Sequence, residues 1–305
     1  MRATDRIYVA GHGGLVGSAL CRLLAAEGYR NVITRTRQGL DLTVQGDVYE
    51  FFRREKPEYV FLAAGRVGGI LANSTKPAEF IAENLQIQIN VIDTASRWGV
   101  TKLLDLGSSC IYPRDAAQPI AESALMTGPL EPTNEPYAMA KLAGLSLLRA
   151  HRRQHGLNGI ALMPTNLYGP GDTFHPLTSH LVPALMLSAL HAKKDGGPMV
   201  VWGTGTPRRE LMHVDDLARA CLHFMQSYDD EGIVNVGTGA DATVLDIART
   251  IADVVGYTGA IELDASKPDG MPVKRLDVSL AHRLGWHAEI PLRDGLERTY
   301  RETFK

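Results

Sequence analysis

Short apolar runs alternate with amphipathic segments through the first half of the chain. The apolar runs predict five β-strands, at residues 7–11, 32–36, 59–65, 102–108 and 159–166. Between the strands, apolar positions recur at helical spacing, which predicts a helix to about Glu27 and others over 48–55, about 78–98 and 135–156. Buried strands joined by helices build parallel sheets covered on both faces. The pattern therefore predicts an α/β fold with a doubly wound parallel sheet, the Rossmann arrangement.

The regular alternation of strands and helices ends after Asn166, where a loop rich in turn-forming residues follows. The later segments predict a strand at 234–239 and helices at about 179–192, 214–227, 243–255 and 292–304. Residues 264–278 follow no regular period. We expect residues 1–166 to form a dinucleotide-binding Rossmann domain. Residues 167–305 should form mainly a smaller α/β substrate-binding domain, with segments near 211–239 returning to the first domain.

Composition narrows the class of protein. The 305 residues are 45% hydrophobic and 22% charged, with a net charge of −2, which argues against binding to nucleic acid or to an anionic membrane. The three cysteines are scattered and none lies in a CxxC pair, so a disulfide framework is not expected. The first strand begins almost at the N-terminus, and no apolar run reaches the roughly 18–20 residues that span a bilayer. We expect a cytoplasmic protein without a metal site.

A glycine-rich turn joins the first predicted strand to the first helix. Gly11, Gly14 and Gly17 have the spacing GxxGxxG, with one more glycine at position 13. A dinucleotide pyrophosphate needs a tight turn, close approach of the backbone and a helix N-terminus directed at its charge. Such a triplet can also be a bare turn, but its place at the first strand–helix junction favours dinucleotide binding. Further cofactor contacts are expected from the neighbouring residues Leu15, Val16, Ala63 and Ala64.

The end of the second strand indicates which dinucleotide binds. An acid at this point would bond the 2′-hydroxyl of NAD, whereas this strand ends in Arg35 and Arg37 with no acid before Asp41. Guanidinium groups bind phosphates with two hydrogen bonds, so we expect NADP (as NADPH) rather than NAD. A solvated basic turn is the alternative. Asp41 and Leu42 would then lie near the adenine side of the site.

Tyr137 and Lys141 have the spacing YxxxK within a predicted helix, so both side chains project from one face. A lysine ammonium near a tyrosine lowers the pKa of the phenol and prepares it to exchange a proton with a carbonyl or alcohol. The spacing by itself is often only a helix surface. Ser108 follows the fourth strand and can bond the same substrate oxygen, which makes a catalytic set of Ser108, Tyr137 and Lys141 the better interpretation.

These segments together resemble the extended short-chain dehydrogenase/reductase family, over essentially the whole chain. The resemblance rests on GHGGLVGSAL, LGSSCIYP, NEPYAMAK, MPTNLYGP, SHLVPAL and VVWGTGTPRRELMHVDDLA. Within the family, the chain is similar to the 3,5-epimerase/4-reductases that act on GDP-4-keto-6-deoxy-D-mannose. The resemblance implies that Ser108, Tyr137 and Lys141 carry out the reduction and that Cys110 and His180 carry out the epimerisation. It also implies a sugar-nucleotide site that includes Asn166, His180, Trp202, Arg209 and Lys274.

Taken alone, the same residues have simpler interpretations. A cysteine at a strand end is usually a packing residue, and His180 would be a residue at a helix start. Arg209 could form a surface ion pair with Glu210, and Trp202 could belong to the core. Which of Cys110 and His180 removes a proton and which returns one stays open.

Two departures from the family pattern bear on the ligands. Gly13 stands where relatives often carry a basic residue that contacts a 2′-phosphate, and Ser188 stands where an arginine would help to hold the substrate diphosphate. A related enzyme for a different GDP-4-keto sugar, a 4-epimerase with bound NAD and a non-catalytic dinucleotide sensor are the alternatives. The resemblance also implies a homodimer, through the helices at about 78–98 and 135–156.

Overall fold

The computed structural model describes residues 1–175, 179–267 and 269–305. These residues form twelve strands: β1 (Ile7–Ala10), β2 (Val32–Ile33), β3 (Tyr59–Leu62), β4 (Lys102–Leu106), β5 (Gly159–Pro164), β6 (Asn166–Tyr168), β7 (Met199–Trp202), β8 (Arg208–His213), β9 (Ile233–Val236), β10 (Asp241–Thr243), β11 (Ile261–Asp264) and β12 (Val273–Lys274). They also form ten α-helices: α1 (Leu15–Ala26), α2 (Gln45–Glu55), α3 (Ile70–Thr75), α4 (Pro77–Arg97), α5 (Glu135–His155), α6 (Leu181–Asp195), α7 (Val214–Ser227), α8 (Val244–Val255), α9 (Ser279–Arg283) and α10 (Leu292–Phe304). Short 3₁₀ turns cover Ser109–Ile111 and Glu122–Ala124.

Six parallel strands form the central sheet, in the order β2–β1–β3–β4–β5–β9. The predicted α/β class and parallel sheet are confirmed. Strand order reverses between β1 and β3, and in such sheets ligands bind outside the carboxyl ends of the strands at this point. The glycine turn after β1 and Ser108 after β4 both lie at these carboxyl ends.

Helices cover both faces of the sheet because its central strands are buried on both sides. One apolar core joins the sheet to α2, α4 and α5, and a second joins it to α1 and α7. Since α7 and β9 come from the second half of the chain, that half contributes to the covering of the central sheet. The rest of it forms smaller sheets, β10–β8–β12 with β6 beside β8, and β7–β11, over a third core with α6, α8 and α10.

Some predicted bounds were wrong. The second strand ends at Ile33 rather than at residue 36, because β2 is an edge strand paired only with β1 and the chain turns at Thr36, whose carbonyl accepts from Gly39 and Leu40. The strand predicted over 159–166 ends at Pro164, and β6 begins at Asn166. The stretch 264–278, predicted as irregular, contains β12. Within the described part of the chain, no helix is long and apolar enough to cross a membrane.

Candidate active site

The glycine turn brings the backbone close to the N-terminus of α1. Gly11 has a φ of +87°, and the N–H of Gly14 donates to its carbonyl at 3.0 Å. A Cβ on Gly17 would lie 2.1 Å from the Gly11 carbonyl oxygen, so this position excludes any larger residue. Gly14 is the N-cap of α1 and gives no side-chain cap, which leaves the first N–H groups of the helix available to an anion.

The residues next to the glycine turn pack closely against it. Leu15 and Val16 are half-buried in the first turn of α1. Ala63 donates its N–H to the Ala10 carbonyl at 3.0 Å, and a Cβ on Gly11 would lie 2.7 Å from the Ala64 backbone. Small residues after β3 therefore allow the two strand ends to approach each other.

The two arginines after β2 differ in their contacts and in their exposure. Arg35 Nη2 lies 2.6 Å from Glu55 Oε1, and its guanidinium stacks on Phe51 at 5.6 Å. Arg37 is 69% exposed and lies 3.6 Å from Asp41 and 3.5 Å from Glu83. The exposed guanidinium of Arg37 is therefore the freer of the two to meet a phosphate.

Asp41 and Leu42 extend the same region. Asp41 accepts hydrogen bonds from the N–H and the hydroxyl of Thr43 at 2.9 and 2.7 Å, which hold its pKa below the usual range. The carbonyl of Leu42 accepts from Asn90 Nδ2 at 2.9 Å, which ties this loop to α4.

Ser108 and Tyr137 meet at the carboxyl end of β4. Ser108 Oγ accepts the N–H of Cys110 at 3.2 Å. Burial raises the pKa of Tyr137, with a smaller contribution from Cys110. The neighbouring side chain of Ser108 acts on this pKa in the opposite direction.

Lys141 is buried one turn further along α5, and its ammonium donates to the Leu106 carbonyl at 2.7 Å. Burial lowers the pKa of Lys141, and the buried carboxyl of Asp105 opposes that shift. From the sequence we expected Lys141 to lower the pKa of Tyr137. The pKa of Tyr137 is raised instead, because the cost of burying a phenolate is the largest influence on it.

Cys110 is contacted by two donors from distant parts of the chain. Asn134 Nδ2 lies 3.3 Å from its Sγ, and Lys274 Nζ lies 3.6 Å from it. Asn134 is the N-cap of α5 but does not cap the helix with its side chain. A small pocket between the 3₁₀ turn, the start of α5 and β12 is lined by Cys110, Asn134, Met271 and Lys274.

His180 is the N-cap of α6 and is partly exposed, with 44% of its side chain accessible. Its Nδ1 lies 3.8 Å from Oδ1 of Asp172, whose side chain is only 4% exposed. Cys110 contacts the N-cap of α5 and a residue of β12, whereas His180 lies beside Asp172 in the loop after β6.

The remaining predicted substrate residues lie on β6, β7 and β8. Asn166 Nδ2 donates to the Glu210 carbonyl at 3.2 Å. Trp202 is 57% exposed, and Lys267 Nζ lies 5.5 Å from its ring, so Trp202 does not belong to the core. Arg209 donates to the carbonyls of Met271 at 2.6 Å and Asp269 at 3.2 Å.

The alternative ion pair between Arg209 and Glu210 does not form. The Glu210 carboxylate is buried and accepts the backbone N–H groups of Gly239 and Leu276, both at 2.8 Å. The chain direction places the two neighbouring side chains on opposite faces of β8, as in any strand. Arg209 is instead held by the loop that precedes β12.

Sequence reasoning missed three residues, Asp105, Asn134 and Asp172. Asn134 lies in the quoted motif NEPYAMAK, and Asp172 lies in the loop before His180, where an acid is an ordinary turn residue. The signal that distinguishes them is tertiary. Each has a buried side-chain oxygen without a hydrogen-bond partner among the described residues, and such an atom in a folded protein requires an explanation.

Comparisons with known proteins identify the family of the chain. The model of the NAD dependent epimerase/dehydratase family matches residues 7–237. The chain is 54% identical over 296 residues to GDP-L-fucose synthase 1 of Arabidopsis thaliana, covering 97% of this chain and 92% of the relative. It is 50% identical over 306 residues to GDP-L-fucose synthase of Escherichia coli strain K12, covering 97% and 95%.

A solved structure shares the whole architecture. The crystal structure of a GDP-L-fucose synthetase from Naegleria fowleri bound to NADP superposes with a TM-score of 0.93 at 27% identity. The superposition covers 99% of this chain and 93% of that one.

Proposed function

Because the chain belongs to the NAD-dependent epimerase/dehydratase family, we propose that it converts GDP-4-keto-6-deoxy-D-mannose to GDP-L-fucose with NADPH. The conversion combines 3,5-epimerisation with reduction of the 4-keto group. The observation that carries the proposal is the placement of Cys110. Its thiol is contacted by Asn134 and Lys274, and the same strand end carries Ser108, whose side chain neighbours Tyr137 and acts to lower its pKa.

Epimerisation requires one group that removes a proton and another that returns one to the opposite face of the sugar. The hydrogens at C3 and C5 are acidified because each carbanion is delocalised into the 4-keto group. Removal of a proton requires a thiolate, and a cation and an amide N–H lie beside the sulfur of Cys110. Return of a proton requires an imidazolium, and a carboxylate lies beside His180. We therefore assign Cys110 as the base and His180 as the acid.

Reduction then uses the groups at the end of β4. NADPH supplies the hydride for C4 when it is bound. Burial raises the pKa of Tyr137, so its hydroxyl is protonated at neutral pH and can give a proton to the developing alkoxide. Ser108 donates a hydrogen bond to the same oxygen and stabilises its charge in both the enolate and the alkoxide. Lys141, fixed on the Leu106 carbonyl, lies where it can bind the nicotinamide ribose.

The proposal also assigns the remaining predicted residues to the cofactor and to the substrate. The turn formed by Gly11, Gly14 and Gly17 holds the pyrophosphate of NADP, and Arg37 binds its 2′-phosphate. Trp202 offers an exposed ring face to the guanine or the sugar, and Asn166 and Lys274 contact the sugar. Arg209 is held by the backbone carbonyls of Asp269 and Met271 before β12, and its positive charge binds the diphosphate.

Ser188 does not take part in this binding. Its hydroxyl donates to the Val200 carbonyl at 3.0 Å and accepts the Val200 N–H at 3.1 Å, so it joins α6 to β7. The diphosphate must therefore be held without a cation at position 188.

Assembly, domain division and location are part of the same proposal. We infer a homodimer through α4 and α5, whose surface exposes Ile89 by 47% and Met139 by 45%. The division near residue 166, with α7 and β9 serving the first domain, separates cofactor binding from substrate binding. The enzyme would work in the cytoplasm, where NADPH and GDP-sugars are available and cysteines stay reduced.

A single reaction tests the assignment. The protein is mixed with GDP-4-keto-6-deoxy-D-mannose and NADPH in heavy water. We expect loss of NADPH in equal amount to product, and deuterium at C3 and C5 of GDP-L-fucose. Absence of turnover overturns the substrate, and retention of bound NAD without NADPH consumption identifies a 4-epimerase instead.

The Cys110→Ser variant tests the role that carries the proposal. A serine hydroxyl is a far weaker base than a thiolate, so deuterium exchange at C3 and C5 should fall by at least about 100-fold. Oxidation of GDP-L-fucose by NADP⁺, which needs only Tyr137 and its partners, should be retained. Cys21→Ser, a change at a half-buried cysteine of α1, is the matched control. Exchange at the normal rate in Cys110→Ser would refute the role.

A further inference from the structure

Asp172 lies in the loop between β6 and α6, and its buried carboxylate faces His180. Its Oδ1 accepts the N–H of Thr173 at 2.7 Å and lies 3.8 Å from His180 Nδ1. Its Oδ2 is buried and has no hydrogen-bond partner among the described residues. An ionised carboxylate with an unpaired buried oxygen is costly, and a positive charge on His180 offsets that cost.

His180 occupies a position that disfavours a positive charge by itself. As the N-cap of α6, it lies at the positive end of the helix dipole, and the first turn of α6 contains no acidic residue. The charged residues of the helix, Lys193, Lys194 and Asp195, lie at its other end, about 20 Å away at 1.5 Å per residue. Among the described ion pairs, Asp172 is the group that meets the imidazole.

We propose that Asp172 is a positioning residue for His180: its carboxylate orients the imidazole ring with Nδ1 toward the loop after β6. The inference rests on the proposed function, in which His180 returns a proton to the sugar. In that step the Nε2–H bond breaks, the electron pair of the enolate forms the new C–H bond, and the ring becomes neutral. The proton on Nδ1 stays opposite Asp172, which keeps the same tautomer for every turnover.

The Asp172→Asn variant removes the charge and keeps an oxygen for the Thr173 N–H. In the full-length enzyme, we expect deuterium exchange at C3 and C5 to fall about tenfold, because the imidazole ring loses the carboxylate that orients it. Asp172→Glu, which keeps the carboxylate, should restore much of the exchange rate. Asp195→Asn, the same change at the far end of α6, should leave the exchange rate unchanged.

Two further measurements separate a positioning role from a structural one. Oxidation of GDP-L-fucose by NADP⁺ should proceed in Asp172→Asn as in the wild type. In the His180→Gln background, Asp172→Asn should cause little further loss of exchange, because its effect acts through the imidazole. Exchange at the wild-type rate in Asp172→Asn, or an equal loss in both backgrounds, overturns the inference. If the wild type neither exchanges deuterium nor oxidises GDP-L-fucose, the proposed function itself is refuted, and the role of Asp172 with it.

Discussion

At the scale of single residues, the environment of each side chain decides its chemistry more than its type does. The chain contains three cysteines, and burial raises the pKa of both Cys21 and Cys221. Only Cys110 among them has a lysine and an amide at its sulfur in the described contacts. The same residue type therefore packs among apolar side chains in α1 and α7 and meets two polar groups beside β4.

Lys274→Gln tests this electrostatic contribution. Without the cation at 3.6 Å from its sulfur, Cys110 loses one of its two polar contacts, so we expect C3/C5 exchange to fall about tenfold. The rate of deuterium incorporation measures the loss, and Lys194→Gln in the last turn of α6 is the control. Exchange at the wild-type rate in Lys274→Gln would contradict a contribution of this cation.

At the scale of elements, the turn between β1 and α1 restricts which residues can occupy it. Two glycines there differ sharply in their surroundings. A Cβ on Gly17 would lie 2.1 Å from the Gly11 carbonyl, whereas a Cβ on Gly13 meets nothing within 4 Å. Adding a methyl group at Gly17 must therefore move the turn or the first turn of α1.

Gly17→Ala and Gly13→Ala form a matched pair. We expect Gly17→Ala to weaken NADPH binding by about tenfold or more, or roughly 1.4 kcal/mol, because the N–H groups for the pyrophosphate are displaced. Gly13→Ala should change affinity less than about twofold. Titration of NADPH fluorescence with each variant gives the dissociation constants. Equal affinities for the two variants would contradict a tight approach at Gly17.

At the scale of the whole molecule, β8 and the start of α7 join the smaller sheets to the central one. His213 lies at this junction, fully buried, with its ring against Tyr168 at 5.4 Å. Its Nδ1 accepts the N–H of Asp215 at 3.2 Å as the cap of α7. Burial lowers the pKa of His213 to about 4, against a partial opposite effect of Asp215. The folded protein therefore holds this imidazole neutral.

The buried His213 should make folding stability depend on pH in a known direction. Because its folded-state pKa lies below the ordinary value of about 6.5, the unfolded chain binds the proton first, and stability falls as pH drops from 6.5 toward 4. Between pH 7.5 and 5, this group should cost about 2 kcal/mol. Urea unfolding of wild type and His213→Asn, which keeps a capping oxygen, measures the difference. Parallel pH dependence in the two proteins would refute this contribution.

Much of the fold could be predicted because its signals are local. Apolar periodicity placed the five parallel strands, and the helix predicted over 135–156 ends at Gly156, which has a φ of +70°. The glycine turn and the YxxxK pair were visible because their spacings lie within one turn or one helix. The predicted bounds were wrong where strand pairing determines how long a strand is. β2 is shorter than predicted because it is an edge strand that pairs with β1 over two residues.

The sequence by itself determined the residue types, their local elements and the resemblance that directs attention to Cys110 and His180. Only the tertiary structure decided which polar groups surround those two side chains. Lys274 contacts Cys110 although the two residues lie 164 positions apart in the chain. Asn134 is the N-cap residue of α5, but its side chain contacts Cys110 and does not cap the helix. Burial likewise reversed the expected direction of the pKa shift of Tyr137. The physical reason is that hydrogen bonds and desolvation depend on which distant segments pack together, and no spacing along the chain records that.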